Sequence, residues 1–172
     1  EILPFLERNR DSVLHVYESL AAGRILDDDV RKFELGLIYV GHLPAIQMHR
    51  SAYDEMVASG MFARLGSETL RREIADLYAT QVTVDKNFSW WRRSVEDLEA
   101  EIWNRVSLRS EDEMVTLFDD IREPLRRVDF DFEDLAGSVA LRNRFYWAAD
   151  THGDWVLWTS RLAEQARGAL AV

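Results

Sequence analysis

Apolar residues recur through the middle of the chain at alternating steps of four and three: Leu70, Ile74, Leu77, Gln81, Val84, Phe88, Trp91, Val95, Leu98 and Ile102. Gln81 is the polar member of that series, and neither Gly nor Pro falls between Ser67 and Val106. This spacing lays one narrow stripe along a helix and buries it against partner helices, as in a coiled coil or bundle. At ~1.5 Å per residue, the roughly 40 residues from Ser67 to Val106 predict a helix on the order of 60 Å long. Ser67, with Glu68 behind it, offers the N-terminal cap.

A second series, Leu141, Phe145, Ala148, His152, Trp155, Thr159, Leu162, Ala166 and Ala169, steps in the same way through a final helix beginning near Glu133. Small residues here face the positions where the long helix carries Phe88 and Trp91, so the two helices are expected to pack along one another. Gly153 makes a kink possible, because Gly costs about 1 kcal/mol relative to Ala in a helix interior. Upstream, Leu6, Asn9, Val13, Val16 and Leu20 predict a first helix over residues 3–22, with Pro4 in its first turn and Gly23 as its stop. The Asp27–Asp29 run caps a second helix, carrying Val30, Phe33, Leu37 and Val40 to about His42. Pro44 breaks it. A short helix from Ala45 to Ser59 bears Ile46, Tyr53, Met56 and Val57, and Gly60 closes it. Ser110-Glu111-Asp112-Glu113 reads as another cap, opening a helix through Met114, Leu117, Phe118, Ile121 and Leu125 that Pro124 bends or ends. The alternation from Val128 to Phe132 could be a strand, but with no partner strand in view it reads as a loop.

These elements predict one all-α domain: an elongated antiparallel bundle of five to six helices, some long and coiled-coil-like. The 172 residues suffice for one core, and 47% hydrophobic with 30% charged residues is a globular balance. A net charge of −10 argues against nucleic acid and against adhesion to anionic membrane surfaces. The absence of cysteine removes disulfides and thiolate chemistry together. No run approaches the ~20 apolar residues of a membrane-spanning helix.

Candidate chemistry is sparse. None of His15, His42, His49 and His152 follows a Glu by three residues, the pairing that carboxylate-bridged metal bundles use. Phosphate-loop, nucleophile-elbow and dinucleotide motifs are missing. No metal or other cofactor is expected. Gln81, His152 and Thr159 instead place polar atoms on otherwise apolar seams. They read as a layer that fixes helix register, with a pocket or pH-sensitive switch as the functional alternative. Most of the six tryptophans lie on or beside the seams. Trp90 and Trp91 are about 100° apart on a helix, so one is expected to meet a third helix. Trp158, off the seam, is the candidate for an exposed interaction site.

The stretch Ser51-Ala52-Tyr53-Asp54-Glu55-Met56-Val57-Ala58-Ser59-Gly60-Met61-Phe62, then Leu70-Arg71 and Tyr78, resembles a bacterial family of uncharacterised proteins. Its members carry a single N-terminal membrane-spanning helix and a helical soluble domain. Leu141-Arg142-Asn143-Arg144-Phe145 is similar to their later Leu-Arg-Asn segment. The resemblance implies an inner-membrane anchor preceding Glu1 and a soluble domain in the periplasm, with the cytoplasm as the other possibility. Pro4 departs from the uninterrupted helix expected to lead from such an anchor. The leading expectation is a non-enzymatic interaction or sensory module, taking a protein partner or a second copy rather than a small ligand. The alternative is an enzyme with an unrecognised carboxylate or histidine site inside the bundle.

Overall fold

The computed structural model describes residues 2–45, 50–118 and 121–171. Helix α1 spans Ile2–Ala22, and its stripe Leu6, Asn9, Val13, Val16 and Leu20 is buried throughout. It stops at Gly23, whose φ of +67° is a left-handed conformation that glycine adopts without steric cost. A 3-10 turn, Leu26–Asp28, leads to α2 (Val30–Ile38). Asp29 caps α2 by accepting a hydrogen bond from the Lys32 backbone N–H at 2.9 Å. The helix ends four residues short of the expected His42. Val40 leaves it but stays buried. Helix α3 is shorter than its pattern too, Ser51–Ala58, and Ile46 and His49 lie outside the described residues.

Helix α4 runs Glu68–Trp103, and Leu70 N–H donates to the Ser67 hydroxyl at 3.1 Å, the cap its sequence announces. The segment expected to form the next helix is a β-hairpin: β1 (Val106–Phe118) pairs antiparallel with β2 (Ile121–Phe130). Met114, Leu117, Phe118 and Ile121 fit a helical stripe, but Met114, Thr116 and Phe118 equally fit a strand's period of two, with β-branched Val115 and Thr116 favouring it. Pro124 sits opposite Met114, beside a register shift, where a strand tolerates the missing N–H. The alternation at Val128–Phe130 therefore is a strand, and Val106–Ser110 is the partner not foreseen. The final helix divides as well. Asp131 caps α5 (Phe132–Gly137), and Ser138, in an extended conformation, caps α6 (Val139–Ala171) through the Leu141 N–H at 3.2 Å. Helix α6 passes through Gly153 without a break.

The protein is thus helix-dominated, as its pattern predicts, with a two-stranded sheet added. It divides into two compact units. The first holds residues 1–43 and 91–156, the second residues 44–90 and 157–172. In the first, α1 and α2 pack so closely that a Cβ on Gly36 would lie 2.3 Å from the Ser12 carbonyl oxygen. Residues 139–156 of α6 run antiparallel to residues 91–103 of α4. Arg144 pairs with Glu101, Thr151 Oγ1 lies 3.3 Å from Ser94 Oγ, and Trp155 meets Trp91 edge-on at 5.6 Å. The expected large-against-small packing fails at that point: two indoles interlock instead, which a T-shaped arrangement permits. Phe33 packs against Phe130 and Phe132, tying α2 to β2 and α5.

In the second unit Tyr53 stacks on Tyr78 at 4.2 Å and meets Phe62 edge-on, fixing α3 and its following turn against α4. Gly60 makes the turn possible with φ of +72°, and its N–H bonds the Val57 carbonyl at 3.1 Å. A Cβ there would meet nothing within 4 Å, so any penalty is in the backbone alone. Gly60→Val is expected to cost about 1–2 kcal/mol, the left-handed penalty of an L residue. A thermal melt would read this as a lowered Tm, and an unchanged Tm would contradict the assignment.

Candidate functional site: buried anchors and an aromatic face

Two polar groups are anchored deep in the first unit. His152 is fully buried on α6, and its Nε2 lies 2.9 Å from the Val40 carbonyl oxygen. Because a carbonyl only accepts, Nε2 carries a proton and donates it to Val40. Burial lowers the His152 pKa from 6.5 to about 4; the bond to Val40 opposes that shift and the charge of His42 adds to it. Of the other two residues expected in the polar layer, Gln81 and Thr159 both belong to the second unit and both are buried. Gln81 Nε2 donates to Asp85 at 2.6 Å, one turn along its own helix.

The second anchor is Glu34, a buried carboxylate on α2. Its Oε1 accepts from Arg127 Nε at 3.0 Å and from Val128 N–H at 3.4 Å, and its Oε2 lies 3.3 Å from Arg31 Nη1. Arg31 also donates to the Arg126 carbonyl at 2.6 Å. A carboxylate shielded from water persists only with such compensation, so this network locks α2 onto β2. The sequence holds a faint signal for it: Glu34 stands three and four residues before Leu37 and Ile38, on the apolar face of its helix. Among the described residues no three His, Cys, Asp or Glu side chains are grouped as a metal would require.

The tryptophans fall differently from expectation. Trp158 is half-buried in the second unit with the Arg161 guanidinium 5.4 Å over its ring. The two line a groove of about 370 Å³ with Asp76, Thr80, Thr83 and Gln165. Trp91 is buried with its ring against Trp155, whereas Trp90 is 62% exposed. Trp147, unremarked in its sequence setting, is 63% exposed on α6 of the first unit. Tyr146 beside it is half exposed, meets Trp147 at 5.7 Å and reaches Tyr17 of α1 at 5.4 Å. Exposed Leu14 stands one turn before Tyr17, so the face spans two helices.

No family model, curated protein or solved structure matches the chain. The residues that bear the family resemblance have structural places. Tyr53, Phe62 and Tyr78 form the ring cluster of the second unit, and Arg71 donates to the Leu65 carbonyl beside it. Leu141 and Phe145 are core residues. Asn143 is exposed and Arg142 half-buried, on the flank of the aromatic face. No described helix is long and apolar enough to cross a membrane.

Proposed function

We propose that this chain is a non-enzymatic protein-interaction module, held near a membrane by an anchor outside the sequence. The observation that carries the reading is the aromatic face of Tyr17, Tyr146 and Trp147. Tryptophan and tyrosine contribute most of the binding energy where proteins meet, and clustered exposed aromatics mark such surfaces. Two of the buried titratable groups favour the same reading: His152 and Glu34 are each bonded within the fold, in the manner of structural locks. The tether and its periplasmic side rest on the resemblance to the anchored bacterial family. An acidic domain would then be repelled by an anionic lipid surface and present its faces to proteins.

A photo-crosslinking amino acid in place of Trp147, introduced in cells, tests the interaction. The expected result is a discrete crosslinked species that the same amino acid at exposed Glu164 does not give. No crosslink at position 147 would overturn the reading. Sequence upstream of Glu1 tests the tether: a basic segment and an apolar run of about 20 residues are expected. A start codon directly before Glu1 would remove the tether and leave the interaction face untouched.

A further inference from the structure

The charges around the aromatic face are ordered. Arg142, Tyr146, Asp150 and Asp154 follow one another at steps of four along α6, so they form a single row on its surface, with Trp147 beside it. Among the described residues Arg142, Asp150 and Asp154 have no ion-pair partner, although the neighbouring Arg144 pairs with Glu101. The row is basic at one end and acidic at the other, with aromatic groups between. An isologous contact requires this of a surface, because each element must meet its complement when the surface is turned on itself.

From this row we propose that the aromatic face of the first unit seats the same face of a second copy, the two α6 helices crossing antiparallel about a twofold axis level with residue 148, on the side of α6 opposite buried Ala148. One axis satisfies both polar pairs. Arg142 and Asp154 have residue 148 as their midpoint, and so do Tyr146 and Asp150. Each Arg142 guanidinium then faces the Asp154 carboxylate of the other copy, and each Tyr146 phenol donates to the other copy's Asp150. Trp147 packs beside the axis against its symmetry mate, with Tyr17 and Leu14 of α1 at the margin. The overall charge of −10 opposes association, so apolar contact and paired charges are both needed. A contact built on one helix pair lies at the small end of specific interfaces, which sets its dissociation constant on the order of 10–100 µM. The inference rests on reading this face as an interaction surface and names what occupies it.

Sedimentation of the purified chain up to about 500 µM, well above that range, tests it. Reversible dimerisation is expected, weakened about tenfold or more by Trp147→Ala. Arg142→Asp and Asp154→Arg alone each weaken it by setting like charges opposite one another. The double swap restores it, because the pair is rebuilt with its signs exchanged. Circular dichroism checks the fold of each variant, and Trp147→Ala, at an exposed position, serves if a charge variant fails to fold. A chain monomeric throughout overturns the proposal, as does a dimer indifferent to Trp147→Ala or a double swap that does not recover. If the pure chain is monomeric while position 147 crosslinks to a different protein, the self-contact falls and the interaction reading stands. If the pure chain is monomeric and position 147 crosslinks to nothing, both fall.

Discussion

Between pH 6.5 and pH 4 the folded domain is expected to lose about 3 kcal/mol of stability through one imidazole, that of His152. The folded ring is neutral because burial disfavours its charged form by more than the bond to Val40 favours it, whereas the unfolded ring takes up a proton near 6.5. Within that window the unfolded state binds more protons, so stability rises with pH and falls as acid is added. The contribution is complete above 6.5, declines at about 1.4 kcal/mol per pH unit, and is exhausted below about 4, where both states are charged. His42 is the titratable group whose charge bears on the ring, and it acts in the same direction as burial. Urea midpoints at pH 7, 5.5 and 4 for the wild type and for His152→Gln isolate the effect, since glutamine keeps a donor for Val40 without the proton equilibrium. Parallel pH curves for the two proteins would refute it. His152→Leu flattens the same acid limb but orphans the Val40 carbonyl, so it is expected to lose about 1–3 kcal/mol at pH 7. A leucine variant more stable than the wild type would mean that the carbonyl bond contributes nothing.

Gly36→Ala is expected to destabilise the protein although it improves helix propensity. Ala is favoured over Gly in a helix interior by about 1 kcal/mol, which taken alone predicts a more stable α2. Packing opposes this. The new methyl group would stand 2.3 Å from the Ser12 carbonyl oxygen and 2.5 Å from Val16 Cγ2. The first of these is backbone, which cannot rotate away, so α1 and α2 must separate along their contact. Overpacking of this kind costs about 1–3 kcal/mol and occasionally more, and a backbone clash belongs at the upper end. Packing wins by about 2 kcal/mol, a Tm lowered by roughly 4–8 °C for a chain of this size. A Tm equal to or above that of the wild type would show that the helices part freely. Gly41→Ala is expected to destabilise as well, because the Glu99 carboxylate can swing aside but its Cβ, 2.8 Å from the new methyl group, is held by the backbone of α4.

The contrast between Gly60 and Gly36 shows how far this sequence can be read. Gly60 acts through its own backbone, at the end of a short helix, so its role is written in the residues beside it. Gly36 acts through a helix twenty residues earlier, and nothing local distinguishes it from a weak helix position. The stripes of α1, α4 and α6 and the caps at Asp29 and Ser67 were legible for the same reason: period and capping are local physics. The hairpin was not, because the residues from Met114 to Phe118 satisfy both periods and their pairing partners lie in β2. The candidate face was missed because exposure of Trp147, and burial of Trp91 under Trp155, depend on which neighbour covers each indole.

The sequence by itself determined a helical protein, the bounds of α1 and α4 to within a few residues, the left-handed stops at Gly23 and Gly60 and the burial of His152. Those follow from side-chain periodicity, capping and backbone sterics, which act over a few residues. Only the tertiary structure decided the β-hairpin, the Glu34 lock, the α1–α2 contact at Gly36 and which aromatic rings meet solvent. Each of these depends on groups distant in the chain competing for the same space or the same hydrogen bond, and that competition is settled only when the elements pack.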